Sequence, residues 1–147
     1  MAHEFSYPVV LTPDEVDGGF VVTFPDLPEA ITQAEDVPSA LDEAADALEE
    51  AIAGRIRRGD PIPKPSAGAR GGPEVPVPAL TAAKAALYLA LRESGITKSD
   101  LAIRLGCDEK EVRRLLDPRH PSKLSRIEKA LSTLGKGLSV WLVDEAA

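Results

Sequence analysis

A proline- and glycine-rich segment at residues 63–73 constrains the fold of this chain more than any other feature. Its sequence, PKPSAGARGGP, contains too much proline and glycine for a helix or a strand, so it predicts a flexible loop. The segment lies near the middle of a chain of 147 residues, a length that accommodates one ordinary domain or two small ones. We therefore predict two domains, at residues 1–78 and 79–147.

The two halves of the chain differ in charge. Residues 1–65 carry fourteen acidic and four basic side chains, whereas residues 66–147 carry ten acidic and thirteen basic ones. The overall net charge of −7 argues against nucleic-acid binding when it is taken alone. An acidic domain suits a basic protein partner, and a mildly basic domain can approach phosphates. The asymmetry therefore predicts different partners for the two halves.

Several classes of protein are disfavoured by the composition. No window approaches the roughly 20 consecutive apolar residues of a membrane helix, and residues 1–7 lack the pattern of a secretory signal. We therefore expect a cytoplasmic protein with no membrane partner. The single cysteine, Cys107, cannot form an internal disulfide, and with His3 and His120 it matches no zinc-ligand spacing. The sequence predicts no metal and no cofactor.

The first half of the chain begins with strand-forming patterns. Residues 5–11 (FSYPVVL) and 20–24 (FVVTF) are rich in β-branched and aromatic side chains and predict two strands. Residues 12–19 contain the proline, aspartates and paired glycines of a hairpin loop. Pro25 and Pro28 then interrupt strand pairing. Residues 30–35 predict a short third strand.

A long amphipathic helix should follow, beginning near Asp36, whose carboxylate can cap the free backbone N–H groups. One apolar stripe recurs at spacings of three and four: Leu41, Ala45, Leu48, Ile52 and Ile56. Acidic residues occupy the opposite face: Asp42, Glu43, Asp46, Glu49 and Glu50. This face is interpreted either as a solvated helix surface or as a binding surface. Residues 74–78 (EVPVP) predict a short edge strand after the loop.

The second half predicts four helices, at residues 80–93, 98–105, 109–116 and 123–134. Thr97 with Asp100 resembles a capping box, and Asp108 and Ser122 are placed to cap the third and fourth of these helices. The final apolar run, residues 138–143 (LSVWLV), is short and β-prone, and we predict a strand there. Its pairing partner is left open between its own chain and a second copy.

Residues 98–116 match a helix-turn-helix arrangement, with Gly106 in the turn and apolar side chains along one side of the second helix. The first residues of such a second helix enter the major groove of DNA. The predicted base-reading residues are Glu109, Lys110 and Arg113. The predicted phosphate contacts are Lys98, Arg114, Arg119 and Lys123. The alternative is a small helical bundle with scattered surface charges.

The whole chain resembles the HicB family of antitoxins, in the form that carries a C-terminal helix-turn-helix. The residues that carry this resemblance span nearly the full length: Tyr7, 18–20 (GGF), 24–30 (FPDLPEA), 32–33 (TQ), 79–91, 100–102 (DLA), 113–118 (RRLLDP) and 130–131 (AL). The resemblance implies an α+β fold. Its parts would be a partial ribonuclease H-like β-β-β-α-β domain without nuclease activity and an all-α helix-turn-helix domain with a terminal β-strand.

The family resemblance also implies a function. The protein would cap a small basic HicA-like toxin, an mRNA interferase with a catalytic histidine, and would repress the shared operon. The toxin-binding residues implied in this way are Tyr7, Phe24, Pro25, Asp26, Leu27, Pro28 and Glu29. Acidic charge on the antitoxin would complement an RNA-binding toxin electrostatically.

The main hypothesis is thus a non-enzymatic antitoxin and autoregulator that binds operator DNA as a homodimer, with a tetramer also open. A second hypothesis is a helix-turn-helix regulator whose N-terminal domain senses a small ligand. A third is a metal-dependent nuclease, which would need carboxylates converging on one or two metal ions. Its candidate residues are Asp14, Glu15, Asp17 and Asp26.

Overall fold

A computed structural model describes residues 2–67 and 72–144. The chain divides into two compact units. Among the described residues, the N-terminal unit comprises 2–54, 63–67, 72–78 and 143–144, and the helical unit comprises 55–62 and 79–142. The predicted loop at residues 63–73 lies partly outside the described residues. Residues 63–67 and 72–73 form no helix or strand.

The N-terminal unit has mixed α and β structure. Its described strands are β1 (Ser6–Pro8), β2 (Val10–Pro13), β3 (Phe20–Thr23), β4 (Ile31–Ala34) and β5 (Glu74–Pro76). Strands β2, β3 and β4 form an antiparallel sheet in that order, and β1 pairs with β5 in a separate antiparallel ladder. The predicted third strand and the predicted edge strand after the loop are both confirmed, as β4 and β5.

The prediction of one continuous strand over residues 5–11 is wrong. Val9 separates β1 from β2, and its backbone N–H donates to the Pro73 carbonyl at 3.1 Å, in register with the β1–β5 pairing, so residues 5–9 follow a different partner from residues 10–13. Pro8 and Pro76 lie at non-hydrogen-bonded pairs of that ladder, where a missing N–H costs no bond between the strands. The expected β-β-β-α-β order therefore contains a fourth short strand before the helix.

The β2–β3 hairpin loop is closed by local hydrogen bonds. The Asp14 carboxylate accepts the backbone N–H groups of Val16 at 3.0 Å and Asp17 at 3.2 Å. Gly19 has a φ of +73°, and a Cβ atom there would collide with the backbone of Ala34 in the neighbouring strand. Only glycine fits this turn, because other residues rarely adopt such a φ and would need the same space.

Helix α1 (Val37–Arg58) begins where the sequence predicts. The Asp36 carboxylate accepts the Ser39 N–H at 2.8 Å, and this hydrogen bond lowers the pKa of Asp36. The inner face is buried, whereas the acidic outer face is mostly exposed. Fully buried members of the inner face are Ala40, Ala44, Leu48 and Ile52, whereas Leu41 and Ala45 of the predicted stripe are only half-buried. Exposed acidic members of the outer face are Asp42, Glu43, Asp46 and Glu50.

The helical unit contains α2 (Ala79–Ser94), α3 (Lys98–Leu105), α4 (Glu109–Leu116) and α5 (Leu124–Thr133). The bounds of α3 and α4 are as predicted, and those of α2 and α5 differ from the prediction by one residue at each end. Side chains from all four helices are buried at or below 1% exposure, among them Leu87, Leu101, Leu115, Ile127 and Leu131. None of the described helices has the length and apolar character that crossing a membrane requires.

The prediction of a strand at residues 138–143 is wrong for this chain. The segment belongs to no helix or strand, and its large apolar side chains face outward. Trp141 is 67% exposed and Leu142 is fully exposed. A strand requires a hydrogen-bonded neighbour, and none of the described strand pairs of this chain includes these residues.

Candidate nucleic-acid interface and partner-binding loop

The start of α3 is fixed by a reciprocal pair of hydrogen bonds. The Thr97 hydroxyl accepts the Asp100 N–H at 3.0 Å, and the Asp100 carboxylate accepts the Thr97 N–H at 3.2 Å. The bond from the Thr97 N–H is the largest cause of a lowered pKa of Asp100, because it stabilises the charged carboxylate, and the Thr97 side chain acts in the same direction. The sequence signal for this capping box is confirmed.

The turn between α3 and α4 follows from glycine and a second cap. Gly106 ends α3 with a φ of +69°, and Cys107 N–H donates to the Ala102 carbonyl at 3.0 Å. The Asp108 carboxylate then accepts the Glu111 N–H at 2.8 Å and begins α4. Two short helices are thus joined by only Gly106, Cys107 and Asp108.

Helix α4 has two clearly different faces. Val112, Leu115 and Leu116 are buried. The three predicted base-reading residues, Glu109, Lys110 and Arg113, are all exposed. The orientation of α4 follows from this separation, since the helix packs through its apolar side and leaves the polar side outside.

Two of these exposed residues already contact each other. The Arg113 guanidinium Nη1 lies 3.3 Å from Glu109 Oε1, one helical turn away. The other oxygen of Glu109 accepts a hydrogen bond from the Ser99 hydroxyl at 2.9 Å. Glu109 therefore joins the start of α3 to the outer face of α4.

The predicted phosphate-contacting residues are also on the surface. Lys98 is the first residue of α3, Arg114 lies in α4, and Arg119 and Lys123 flank the connection from α4 to α5; all four are exposed. The Arg119 N–H donates to the Asp117 carboxylate at 3.0 Å, which shapes that connection. These cations, with Lys110 and Arg113, are spread over α3, α4 and the loop after α4.

Lys84 in α2 is a residue that sequence reasoning missed. It has no exposed surface, and its ammonium donates to the Arg114 carbonyl at 2.9 Å and to the Ser122 hydroxyl at 2.7 Å. Burial lowers the pKa of Lys84, while the charges of Asp117 and Glu111 act in the opposite direction. The available signal was a single lysine in the apolar run LTAAKAALYLAL.

The prediction that Ser122 caps the last helix is wrong. The N-cap residue of α5 is Lys123, which makes no side-chain capping bond. The Ser122 hydroxyl instead lies between the Lys84 ammonium and the Arg114 carbonyl, which it approaches to 3.3 Å. The Ser122 hydroxyl bonds to the Lys84 ammonium and the Arg114 carbonyl instead of capping α5, because buried polar groups require hydrogen-bond partners.

In the N-terminal unit, the predicted partner-binding residues separate into two groups. Phe24, Leu27 and Tyr7 are at most 2% exposed, so their side chains belong to the core of their own chain. The Tyr7 hydroxyl donates to the Pro63 carbonyl at 2.6 Å. Pro25, Pro28 and Glu29 are exposed, and Asp26 is half-buried. The segment at residues 24–29, here called the β3–β4 loop, therefore presents only some of the predicted side chains.

The backbone of the β3–β4 loop forms two successive turns. Leu27 N–H donates to the Phe24 carbonyl at 3.1 Å, and Ala30 N–H donates to the Leu27 carbonyl at 2.9 Å. The buried Phe24 and Leu27 side chains hold this loop on the core. The described residues 2–67 and 72–144 contain no group of three or more His, Cys, Asp or Glu that could hold a metal ion.

The fold and the exposed charged helices define a small α+β protein with a separate helical unit. The chain belongs to the HicB-like antitoxin family, because the family model described as "HicB_like antitoxin of bacterial toxin-antitoxin system" matches residues 6–86. Membership in this family implies a toxin partner. It also implies a regulatory rather than a catalytic protein.

Individual relatives support the same assignment. "Antitoxin HicB" of Escherichia coli (strain K12) is 39% identical over 137 residues, which cover 93% of this chain and 99% of that protein. "Antitoxin HicB 1" of Photorhabdus laumondii is 39% identical over 134 residues, covering 91% and 84%. "Antitoxin HicB" of Pseudomonas fluorescens (strain Pf0-1) is 38% identical over 134 residues, covering 90% of each chain. By this homology the chain is an antitoxin of a toxin–antitoxin system.

Proposed function

We propose that this chain neutralises a small basic HicA-like mRNA interferase by covering its active site, and that it represses its own operon by binding DNA. The observation that carries the proposal is the presence of two different exposed surfaces on two separate units. One is the β3–β4 loop with the acidic face of α1, and the other is the polar face of α4. Both activities would take place in the cytoplasm, where mRNA is translated.

The toxin-binding side of the proposal is supported by charge and by rigidity. A protein that cleaves RNA must bind phosphates through basic side chains, so an acidic partner competes for the same surface. The exposed acidic residues of α1 provide that charge. The β3–β4 loop is held from beneath by Phe24 and Leu27, so a toxin would meet a preformed surface at Pro25, Pro28 and Glu29.

The DNA-binding side is supported by the geometry of α3 and α4. Two capped helices joined by a turn of three residues, with the second helix exposing Lys110 and Arg113, have the form of a helix-turn-helix. Arg113 can donate a bidentate pair of hydrogen bonds to guanine, and Glu109 can accept from cytosine. The remaining basic residues would contact phosphates and fix the register.

The exposed segment at residues 138–143 supports a homodimer. Helix-turn-helix proteins bind two half-sites, so a second copy is required at the operator. Residues 138–143 contain no charged side chain and are β-prone, so two copies can pair by strand addition without opposing like charges. Lys136 and Asp144 flank the segment with opposite charges, which face each other when two copies pair antiparallel about Val140.

Both surfaces on one chain would couple toxin supply to transcription. If toxin changes the affinity of the antitoxin for the operator, the operator changes the affinity for toxin by the same factor. Expression of the operon would then follow the ratio of toxin to antitoxin.

Co-expression with the adjacent small basic reading frame tests the central claim. Purification of the tagged antitoxin should recover a toxin-sized partner, and the complex should suppress the RNA cleavage of the toxin alone. The double variant Glu43→Lys and Asp46→Lys reverses charge on α1 and should slow association about tenfold at low salt. Glu128→Lys, an exposed acidic position of α5, is the matched control. Recovery of no partner contradicts the proposal.

A further inference from the structure

The Arg114 carbonyl, at the C-terminal end of α4, cannot accept the usual hydrogen bond from four residues further along the chain. A helix leaves its last carbonyls without backbone donors, and the donor to the Arg114 carbonyl in a continued α-helix would be residue 118. Residue 118 is proline, which has no N–H. The Asp117 N–H reaches the Arg114 carbonyl at 3.2 Å and ends the helix there.

Lys84 supplies a further donor to the Arg114 carbonyl from another helix. Its ammonium donates to the Arg114 carbonyl at 2.9 Å from α2, thirty residues earlier in the chain. A cation at a helix C-terminus is also favoured by the helix dipole. The second acceptor, the Ser122 hydroxyl, lies 3.1 Å from the Nδ1 atom of His120. One buried ammonium thus joins α2, the end of α4 and the connection to α5.

Burying the Lys84 ammonium costs free energy, and a role in fixing the position of the helices that it joins would account for this cost. Removing a charge from water is unfavourable, and burial lowers the pKa of Lys84 as this cost requires. If the ammonium were replaced by an apolar group of similar size, the Arg114 carbonyl would keep the Asp117 N–H and the Ser122 hydroxyl as donors. A directional group, by contrast, specifies one arrangement of the elements that it joins.

We infer that Lys84 is a positioning residue for DNA recognition, which holds the end of α4 in the one orientation that presents Arg113 and Lys110 to base edges. The inference rests on the DNA-binding function proposed above. Lys84 contacts no DNA itself, because it has no exposed surface. It acts through the Arg114 carbonyl and through Ser122.

The test separates positioning from folding. Lys84→Met keeps the length of the side chain but removes the ammonium, and Lys129→Met makes the same change at an exposed position of α5. Each variant and the wild type are titrated with duplexes that tile the promoter-proximal DNA of the operon and with scrambled duplexes. The measured quantity is the ratio of affinities for the best duplex and its scrambled version.

We expect Lys84→Met to remain folded by circular dichroism and to lose about tenfold in this ratio, while Lys129→Met keeps it. Backbone amide exchange at Leu115, Leu116 and Asp117 should become faster in Lys84→Met. A folded Lys84→Met with the ratio of Lys129→Met overturns the inference. A wild type without preference for any duplex contradicts the proposed DNA binding instead.

Ser122→Ala keeps the inference testable if Lys84→Met does not fold. Removal of this hydroxyl takes away one of the two acceptors of Lys84 and should lower the affinity ratio about threefold. If both single variants fold, the double variant should lose no more than Lys84→Met alone, because the two residues act as one unit. An unchanged ratio in Ser122→Ala, with Lys84→Met unfolded, overturns the inference.

Discussion

The Asp26 carboxylate accepts two hydrogen bonds from Ser66, one from the backbone N–H at 2.9 Å and one from the hydroxyl at 3.1 Å. Forty residues separate the two in sequence. The contact links the β3–β4 loop to the segment that follows Pro63, and the Tyr7 hydroxyl fixes the carbonyl of Pro63 itself. The loop is therefore held both by its buried side chains and by a polar contact at its exposed side.

Asp26→Ala should weaken toxin binding without unfolding the protein. A hydrogen bond to a charged group contributes about 1.5 to 3 kcal/mol, and here its loss would act by making the loop less ordered before binding. We expect roughly tenfold faster dissociation of the complex in surface plasmon resonance. Glu128→Ala, on the exposed side of α5, is a control for loss of a carboxylate. Unchanged dissociation of Asp26→Ala would show that the contact with Ser66 is not needed.

Arg113→Ala should weaken operator binding by about 1 to 3 kcal/mol and relax base preference at one position. The substitution also removes the ionic partner of Glu109, which then faces DNA with an uncompensated charge. Fluorescence anisotropy with single-base variants of the operator measures both effects. Lys129→Ala, which removes a cation from an exposed position of α5, should leave base preference unchanged. Equal losses on every duplex would instead assign Arg113 to phosphate contact.

The capping box of α3 should make stability depend on acid pH. Because the Thr97 hydrogen bonds lower the folded-state pKa of Asp100 below its value in the unfolded chain, the folded chain binds the proton less readily. The stabilisation is present above about pH 4 and is lost as pH falls through the folded-state pKa.

This dependence can be measured as the difference in melting temperature between the wild type and Asp100→Asn. The difference should favour the wild type at pH 7 and shrink towards zero as the pH falls through the folded-state pKa of Asp100. Thr97→Ala should keep most of the pH dependence contributed by Asp100, because the backbone N–H of residue 97, which donates to the carboxylate, is still present. A difference that stays constant from pH 7 to pH 2 would contradict the assignment.

Val140→Glu should dissociate the proposed homodimer. Residue 140 pairs with itself in the antiparallel arrangement about Val140, so the two introduced carboxylates would lie directly opposite each other, where like charges are destabilising. Analytical ultracentrifugation should show a dimer for the wild type and a monomer for the variant, with weaker operator binding. Val16→Glu changes another highly exposed apolar residue, in the β2–β3 hairpin loop, and should remain dimeric. A monomeric wild type at micromolar concentration would refute the dimer.

The helices α3 and α4 could be predicted to the residue because their ends are fixed by local contacts. Thr97 with Asp100 and Asp108 with Glu111 lie three residues apart, and Gly106 needs no distant partner. The same reasoning succeeded for the start of α1 at Asp36. Helix caps formed by residues three positions apart can therefore be predicted directly from the sequence.

Other features depend on backbone polar groups whose hydrogen-bond partners are distant in the sequence. The Val9 N–H donates to the Pro73 carbonyl, and the Arg114 carbonyl accepts the Lys84 ammonium in addition to the Asp117 N–H. Buried polar groups must be paired, and their partners are selected by packing rather than by spacing. The capped helices, the charge of each half and the family could all be read from the order of the residues. The burial of Lys84, the absence of a cap from Ser122, and the lack of a strand partner for residues 138–143 among the described residues of their own chain depend on packing between distant segments.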